Sequence, residues 1–262
     1  MDKSSWFGVL LAMGGIIAGL LLEGGNLRQV VQPTAAMIVF GGTAGAVMLQ
    51  FPIGVIFAAV RRLGSVFVAP KTMAEPTITR LVQYAQKARK EGIVSLDADL
   101  NTIQDPFLRK SLMLAVDGTE PDELRKMMEL ELENQAEYEE RVPQVFESAG
   151  GFAPTIGIIG AVLGLIQVMQ HLDKIDEVGR GIAVAFVATI YGVGSANLLY
   201  LPIAGKMRLR IREEQITREI TLEGVASILE GMNPRMLETK LLGFLIEAHR
   251  SNKRGEAEGP RS

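Results

Sequence analysis

Charged residues are absent from four long stretches of the chain, residues 4–22, 33–60, 148–172 and 181–205, and crowd into the segments between them. Each stretch is close to, or beyond, the ~20 residues a helix needs to cross a ~30 Å hydrocarbon layer. The pattern predicts an all-α integral membrane protein with four transmembrane helices in two hairpins, whose long helices extend into a helical cytoplasmic domain. Residues 23–32 and 173–180 are short turns, so spans one and two are expected to be antiparallel neighbours, as are spans three and four. The first apolar run ends in Glu23-Gly24-Gly25-Asn26 and not in the small residues of a cleavage site, so it reads as a retained helix.

Between and after the hairpins the period changes to that of amphipathic helices. Residues 75–90 set Ile78, Leu81, Val82 and Ala85 on one face, and Gly92 ends the run. Asp105 caps a helix over 106–116, and Thr119 with Asp122 and Pro121 between them resembles the start of a long acidic helix that runs into span three. Span four continues as one helix to Gly231, and Asn233-Pro234 opens a short final helix. The division that follows is a first transmembrane hairpin over 1–60 (spans 4–22 and 33–57) and a cytoplasmic helical domain over 61–147. Then come a second hairpin over 148–205 (spans 150–171 and 180–204), C-terminal cytoplasmic helices over 206–250 and a disordered tail over 251–262.

Basic residues set the orientation. Arg61, Arg62 and Lys71 follow span two, and Lys206, Arg208, Arg210 and Arg212 follow span four, whereas the short turns hold only Arg28, Lys174 and Arg180. Lys and Arg accumulate on the cytoplasmic side, so both termini and the insertion are expected there, in a bacterial inner membrane. A net charge of −3 is too small to point to nucleic acid. The absence of cysteine excludes disulfides, thiolate metal sites and thiol nucleophiles. His171 and His249 are far apart, and no Gly-rich Lys-Ser/Thr loop follows a strand, so neither a metal site, a cofactor nor an enzyme is expected.

None of the four spans carries an Asp, Glu, Lys or Arg within its apolar window. Such a chain cannot pass a proton across the bilayer on its own side chains, but it can wrap a partner helix that supplies the carboxylate. Small residues four apart let helices approach closely in lipid, where hydrophobicity does not drive association. Gly15/Gly19 and Gly41/Gly45 are expected to pack inside the four-helix unit. The several small faces of spans three and four, with Gly157, Gly160, Gly164, Gly192 and Ala196, suit contact with additional chains. Thr155, Thr189, Tyr191, Ser195 and Asn197 are expected to make interhelical hydrogen bonds or bonds to their own helix. Pro154 and Pro202, near the cytoplasmic ends of their spans, are candidate kinks.

These segments carry a specific resemblance. Residues 151–165 (GFAPTIGIIGAVLGL), 181–192 (GIAVAFVATIYG) and 196–204 (ANLLYLPIA), with 222–231 (LEGVASILEG) and 87–97 (KARKEGIVSLD), resemble the MotA/PomA family of flagellar stator A subunits across nearly the whole chain. The resemblance implies a ring of A subunits, five in number, around two copies of a MotB-like one-span subunit that carries an intramembrane Asp. It also implies a flagellar rotor switch protein as cytoplasmic partner, and membrane lipid around the whole. The family's two functional prolines fall on Pro154 and Pro202, which would couple ion passage to conformation. Its charged rotor-contact pair falls on Arg89 and Asp97, the second more often Glu. Thr155, Ala161 and Thr189 are the expected ion-path positions. Sodium-driven members have threonine where Ala161 stands, so the translocated ion is expected to be a proton. The alternatives are an ExbB/TolQ-type energiser of the envelope, which usually has three spans, and a non-conducting membrane scaffold.

Overall fold

The computed structural model describes residues 2–68 and 74–258; Lys71, one of the basic residues used for orientation, lies outside them. The described residues form eight helices: α1 (Lys3–Leu22), α2 (Pro33–Gln50), α3 (Ile53–Phe67), α4 (Ala74–Glu91), α5 (Pro106–Val116), α6 (Pro121–Gln170), α7 (Ile175–Leu229) and α8 (Pro234–Glu258). A 3₁₀ segment, Ile93–Thr102, links α4 to α5. Four helices, α1, α2, α6 and α7, are long and apolar enough to cross a membrane.

Local chemistry explains most boundaries. Asp105 accepts from the backbone N–H groups of Phe107 (2.9 Å) and Leu108 (3.4 Å), capping α5 ahead of Pro106. Gly92 (φ 86°) and Gly231 (φ 74°) take the left-handed conformation that ends α4 and follows α7. The apolar window 33–60 does not form one helix as expected. Pro52 cannot donate, and it forces Phe51 into an extended conformation (φ −117°, ψ 141°), so the span ends at Gln50 and a new helix starts at Ile53. α6 passes through both Pro143 and Pro154 without ending. α8 continues to Glu258, into the segment expected to be a disordered tail, because Lys, Arg, Glu and Ala favour helix and no proline intervenes before Pro260. Residues 259–262 lie outside the described residues.

The chain divides into two compact units, residues 1–70 with 139–209, and residues 71–138 with 210–262. In the first, α3, the middle of α6 and Met207 of α7 share a core of Val55, Ala59, Val66, Val142, Val145, Ala149 and Met207, which is why 61–68 and 139–147 belong with the spans. Arg208 pairs with Glu140 (2.8 Å) and Glu147 (2.5 Å). Lys206 pairs with Asp2 (2.7 Å), and this hydrogen bond, helped by one from Ser4, holds the Asp2 carboxyl well below its usual range.

Spans one and two do not pack face to face as expected. α1 buries none of its residues, and its tertiary anchors lie at its start: the Trp6 ring against Phe67 (5.3 Å), Ser5 donating to Val66 O, and Asp2 N–H donating to Phe67 O. A turn of ten residues leaves room for the two helices to separate, and an all-round apolar helix is solvated by lipid without a protein partner.

The second unit is a helical domain around Leu81, Leu96, Leu112, Leu124, Met128, Ile220, Val225, Leu237 and Leu241. Gly224 brings α7 against Leu81, since a Cβ there would stand 2.6 Å from a Leu81 methyl. Beside this core Arg125 binds Glu223 (2.5 Å) and Glu230 (3.1 Å), and Lys240 also binds Glu223. Burial works to raise the Glu223 carboxyl, and the hydrogen bonds from Arg125 and Lys240 outweigh it, holding it below its ordinary value.

Candidate functional site

The second transmembrane hairpin is closed by a seam of small residues. A Cβ on Gly157 would stand 2.9 Å from Ala188 O, and one on Gly164 would stand 2.8 Å from Gly181 O. One on Gly160 would meet the Ala188 methyl at 2.8 Å, and one on Gly192 would meet Ala153 O at 2.5 Å. Backbone therefore meets backbone at three of these positions on α6 and α7, and an alanine methyl at the fourth. Ala196, 1% exposed, lies one turn beyond Gly192 on α7. These four glycines pack against the other helix of their own hairpin, where the sequence suggested contact with additional chains. The glycine pairs expected to pack internally, Gly15/Gly19 and Gly41/Gly45, have nothing within 4 Å of an added Cβ. Periodicity shows that a small face exists, but not which neighbour takes it.

The flanks of the seam differ. On one side α2 covers it: Ala35 and Val39 pack with Val184, Val187, Ala188 and Tyr191, and Ile156 abuts Gly42. Tyr191 stacks on Phe40 (5.7 Å), donates to Val30 O (2.6 Å) and accepts from Gln32 N–H (3.3 Å), which ties span two to span four. On the other side lie exposed apolar side chains, among them Ile158 (57% exposed) and Phe186 (69%), with Leu165 and Val193. Each helical position advances roughly 100°, and the two helices run antiparallel, so Ala161 and Thr189, both half-buried, fall together on this open flank. Thr155 does not join them. It sits roughly opposite the seam on α6, exposed, and its hydroxyl donates to Phe152 O (2.8 Å).

The polar residues in the spans behave as expected. Thr189 donates to Ala185 O (3.2 Å), Ser195 to Gly192 O (3.2 Å) and Asn197 to Val193 O (2.9 Å). A hydroxyl spent this way keeps its oxygen lone pairs, so Thr189 can still accept on the open flank. Pro154 lies within α6 beside Ala153, which meets Gly192, and Pro202 follows a widened turn over Ala196–Tyr200. In that turn the Leu201 N–H reaches back to Ala196 O, which makes room for the proline ring. The wide turn was not legible in the sequence, although proline after a run of apolar residues is the signal that could have suggested it.

In the second unit Arg89 sits in the last turn of α4 and Asp97 in the 3₁₀ segment, both exposed on either side of Gly92. Lys87, two positions before Arg89, is bound to Asp99 (2.7 Å). This bridge across the Gly92 break, unread in the sequence, distinguishes a base that is used internally from one that is presented. Among the described residues, no group of three or more His, Asp or Glu could hold a metal.

Fold and site together define a four-span membrane subunit with a tight second hairpin, one open apolar flank, and a charged helical unit outside the spans. The chain belongs to the MotA/TolQ/ExbB proton channel family, whose model matches residues 99–220, while the motility protein A N-terminal model matches residues 6–92. It is 36% identical to motility protein A of Bacillus subtilis over 98% of this chain and 97% of that one. Among solved structures it is similar to Campylobacter jejuni MotAB, with TM-score 0.86 and 32% identity, covering 93% of this chain and 96% of that one. The flagellar MotAB stator complex from Bacillus subtilis gives TM-score 0.82 and 35% identity, with coverage of 92% and 96%.

Proposed function

We propose that this chain is the A subunit of a flagellar stator in the bacterial inner membrane. It surrounds a MotB-like one-span partner and converts ion flow into torque on the rotor. The observation that carries this reading is the near full-length match, in sequence and in fold, to motility protein A and to MotAB stator structures. The open flank supports it physically: Ala161, Thr189 and their apolar neighbours offer a partner helix a surface, and no Asp, Glu, Lys or Arg in the span windows competes with the partner's carboxylate. Five copies around two partner helices, with a rotor switch protein below and lipid outside, is the assembly this reading entails. Pro154 and Pro202 would relay ion arrival at the hairpin to the cytoplasmic domain, and Arg89 and Asp97 would meet the rotor. Moving one charge through 100 mV yields ~2.3 kcal/mol, enough to bias a rotary step and too little for much covalent chemistry.

The ion on this reading is the proton. A sodium ion needs oxygens to repay its dehydration, and the Ala161 methyl offers none beside Thr189. In cells relying on this subunit, swimming should survive removal of sodium and stop with a protonophore. Swimming that stops without sodium and persists with the protonophore contradicts the assignment.

Both termini and the 61–147 insertion face the cytoplasm on the same reading, because the basic flanks do. Since the chain has no cysteine, single cysteines placed at residues 23–32 or 173–180 should react with an impermeant thiol reagent in spheroplasts. Labelling at residues near 100 or 240 instead would reverse the orientation.

A further inference from the structure

Beside Arg89 the cytoplasmic unit has a hollow of about 140 Å³, lined by Ala85, Ala88, Ile93, Ile228, Leu229, Gly231 and Met232 together with Arg89 itself. Two of its lining residues, Ala85 and Ile228, are buried in the core, and the hollow sits near two helix ends that stop at positive-φ glycines, Gly92 and Gly231. Small side chains at 85 and 88 leave the space empty. Val94, next to the lining residue Ile93, is 67% exposed. Among the described residues Arg89 forms no ion pair, whereas Lys87 is already engaged by Asp99. A compact apolar recess beside an uncommitted guanidinium has the composition of an anchor pocket: a buried apolar side chain provides affinity and an adjacent charge pair selects the partner.

We infer that this hollow seats one leucine- or methionine-sized side chain of the rotor switch protein, presented beside a carboxylate that pairs with Arg89. The inference rests on the rotor-contact reading of Arg89 and names what that contact consists of. Charge pairs alone, at ~0–1 kcal/mol each, hold a partner weakly at physiological salt. An apolar anchor adds attraction that salt does not screen and still releases at each step.

The test is Ala88→Leu, which fills the hollow and leaves every charge in place, compared with Ala88→Ser, which keeps the size. Membrane abundance is read by immunoblot, and recruitment to motors by fluorescence of a tagged subunit in live cells. Ala88→Leu should reach the membrane at parental abundance yet weaken apparent rotor affinity on the order of tenfold, while Ala88→Ser remains close to the parent. Parental recruitment and swimming under load with Ala88→Leu, where Arg89→Glu fails, would overturn the pocket and leave the rotor contact standing. Parental behaviour of both variants would remove the rotor contact itself. Should Ala88→Leu not accumulate, a photo-cross-linking residue at Val94 in the otherwise unchanged protein decides. An adduct with the rotor switch protein that is lost with Arg89→Glu supports the pocket. No such adduct from Val94, with one forming from Asp122, overturns it.

Discussion

Gly192→Ala should sharply reduce the amount of folded protein in the membrane, although it adds a single methyl group. That methyl would stand 2.5 Å from Ala153 O and 3.0 Å from Gly157 Cα, and both obstacles are backbone that cannot rotate away. The helices must separate, which forfeits contact along the whole seam from Gly157 to Gly181. Overpacking of this kind costs about 1–3 kcal/mol for a small insertion and more for a larger side chain, so Gly192→Leu should be worse. The control is two residues away: Gly194 has nothing within 4 Å of an added Cβ, and Gly194→Ala should be nearly neutral for accumulation. Thermal aggregation of the detergent-solubilised protein, compared across the three variants, reads the difference. Equal behaviour of Gly192→Ala and Gly194→Ala would mean that the seam is looser than described.

Arg89→Glu should nearly abolish swimming under viscous load while leaving membrane insertion and assembly intact. Arg89 is exposed in the final turn of α4, so the reversal exposes no core and breaks no ion pair found among the described residues. Neutralisation to Ala should cost only part of the torque, because an exposed pair contributes ~0–1 kcal/mol. Reversal replaces attraction with repulsion and opposes each encounter as it forms. A compensating reversal on the rotor switch protein should restore some motility. Normal swimming of Arg89→Glu in viscous medium, or failure only because the protein is absent, would refute the contact.

The elements legible in the sequence are those set by local chemistry. Charge-free length marked the four spans, Asp105 marked the start of α5, and Gly92 and Gly231 marked helix ends, because each acts on its own neighbourhood. Pro52 is also a local signal, yet a window defined by missing charges runs through it, and so span two was read too long. Pro143 shows that proline alone does not set a boundary, since α6 carries it without a break. The pairing of faces was not legible. Gly41 and Gly45 have the same spacing as Gly160 and Gly164, yet α7 covers the second pair, while α2 turns Gly42 toward Ile156 and leaves Gly41 and Gly45 open. The candidate ion path was half legible for the same reason. Ala161 and Thr189 share a flank once α6 and α7 are paired, whereas Thr155, polar and near in sequence, turns to another side. The Lys87–Asp99 bridge needs the chain to reverse at Gly92, so spacing alone does not reveal it.

The central claim is that this subunit shapes an ion path but does not itself carry the titrating group. Proton uptake into liposomes under an imposed membrane potential tests it most directly. The purified chain alone should give no flux above that of empty liposomes. Together with its one-span partner, unplugged, it should conduct, and replacing the partner's intramembrane Asp by Asn should stop the flux. A proton flux from the chain alone, or an undiminished flux with the Asn partner, would contradict the account.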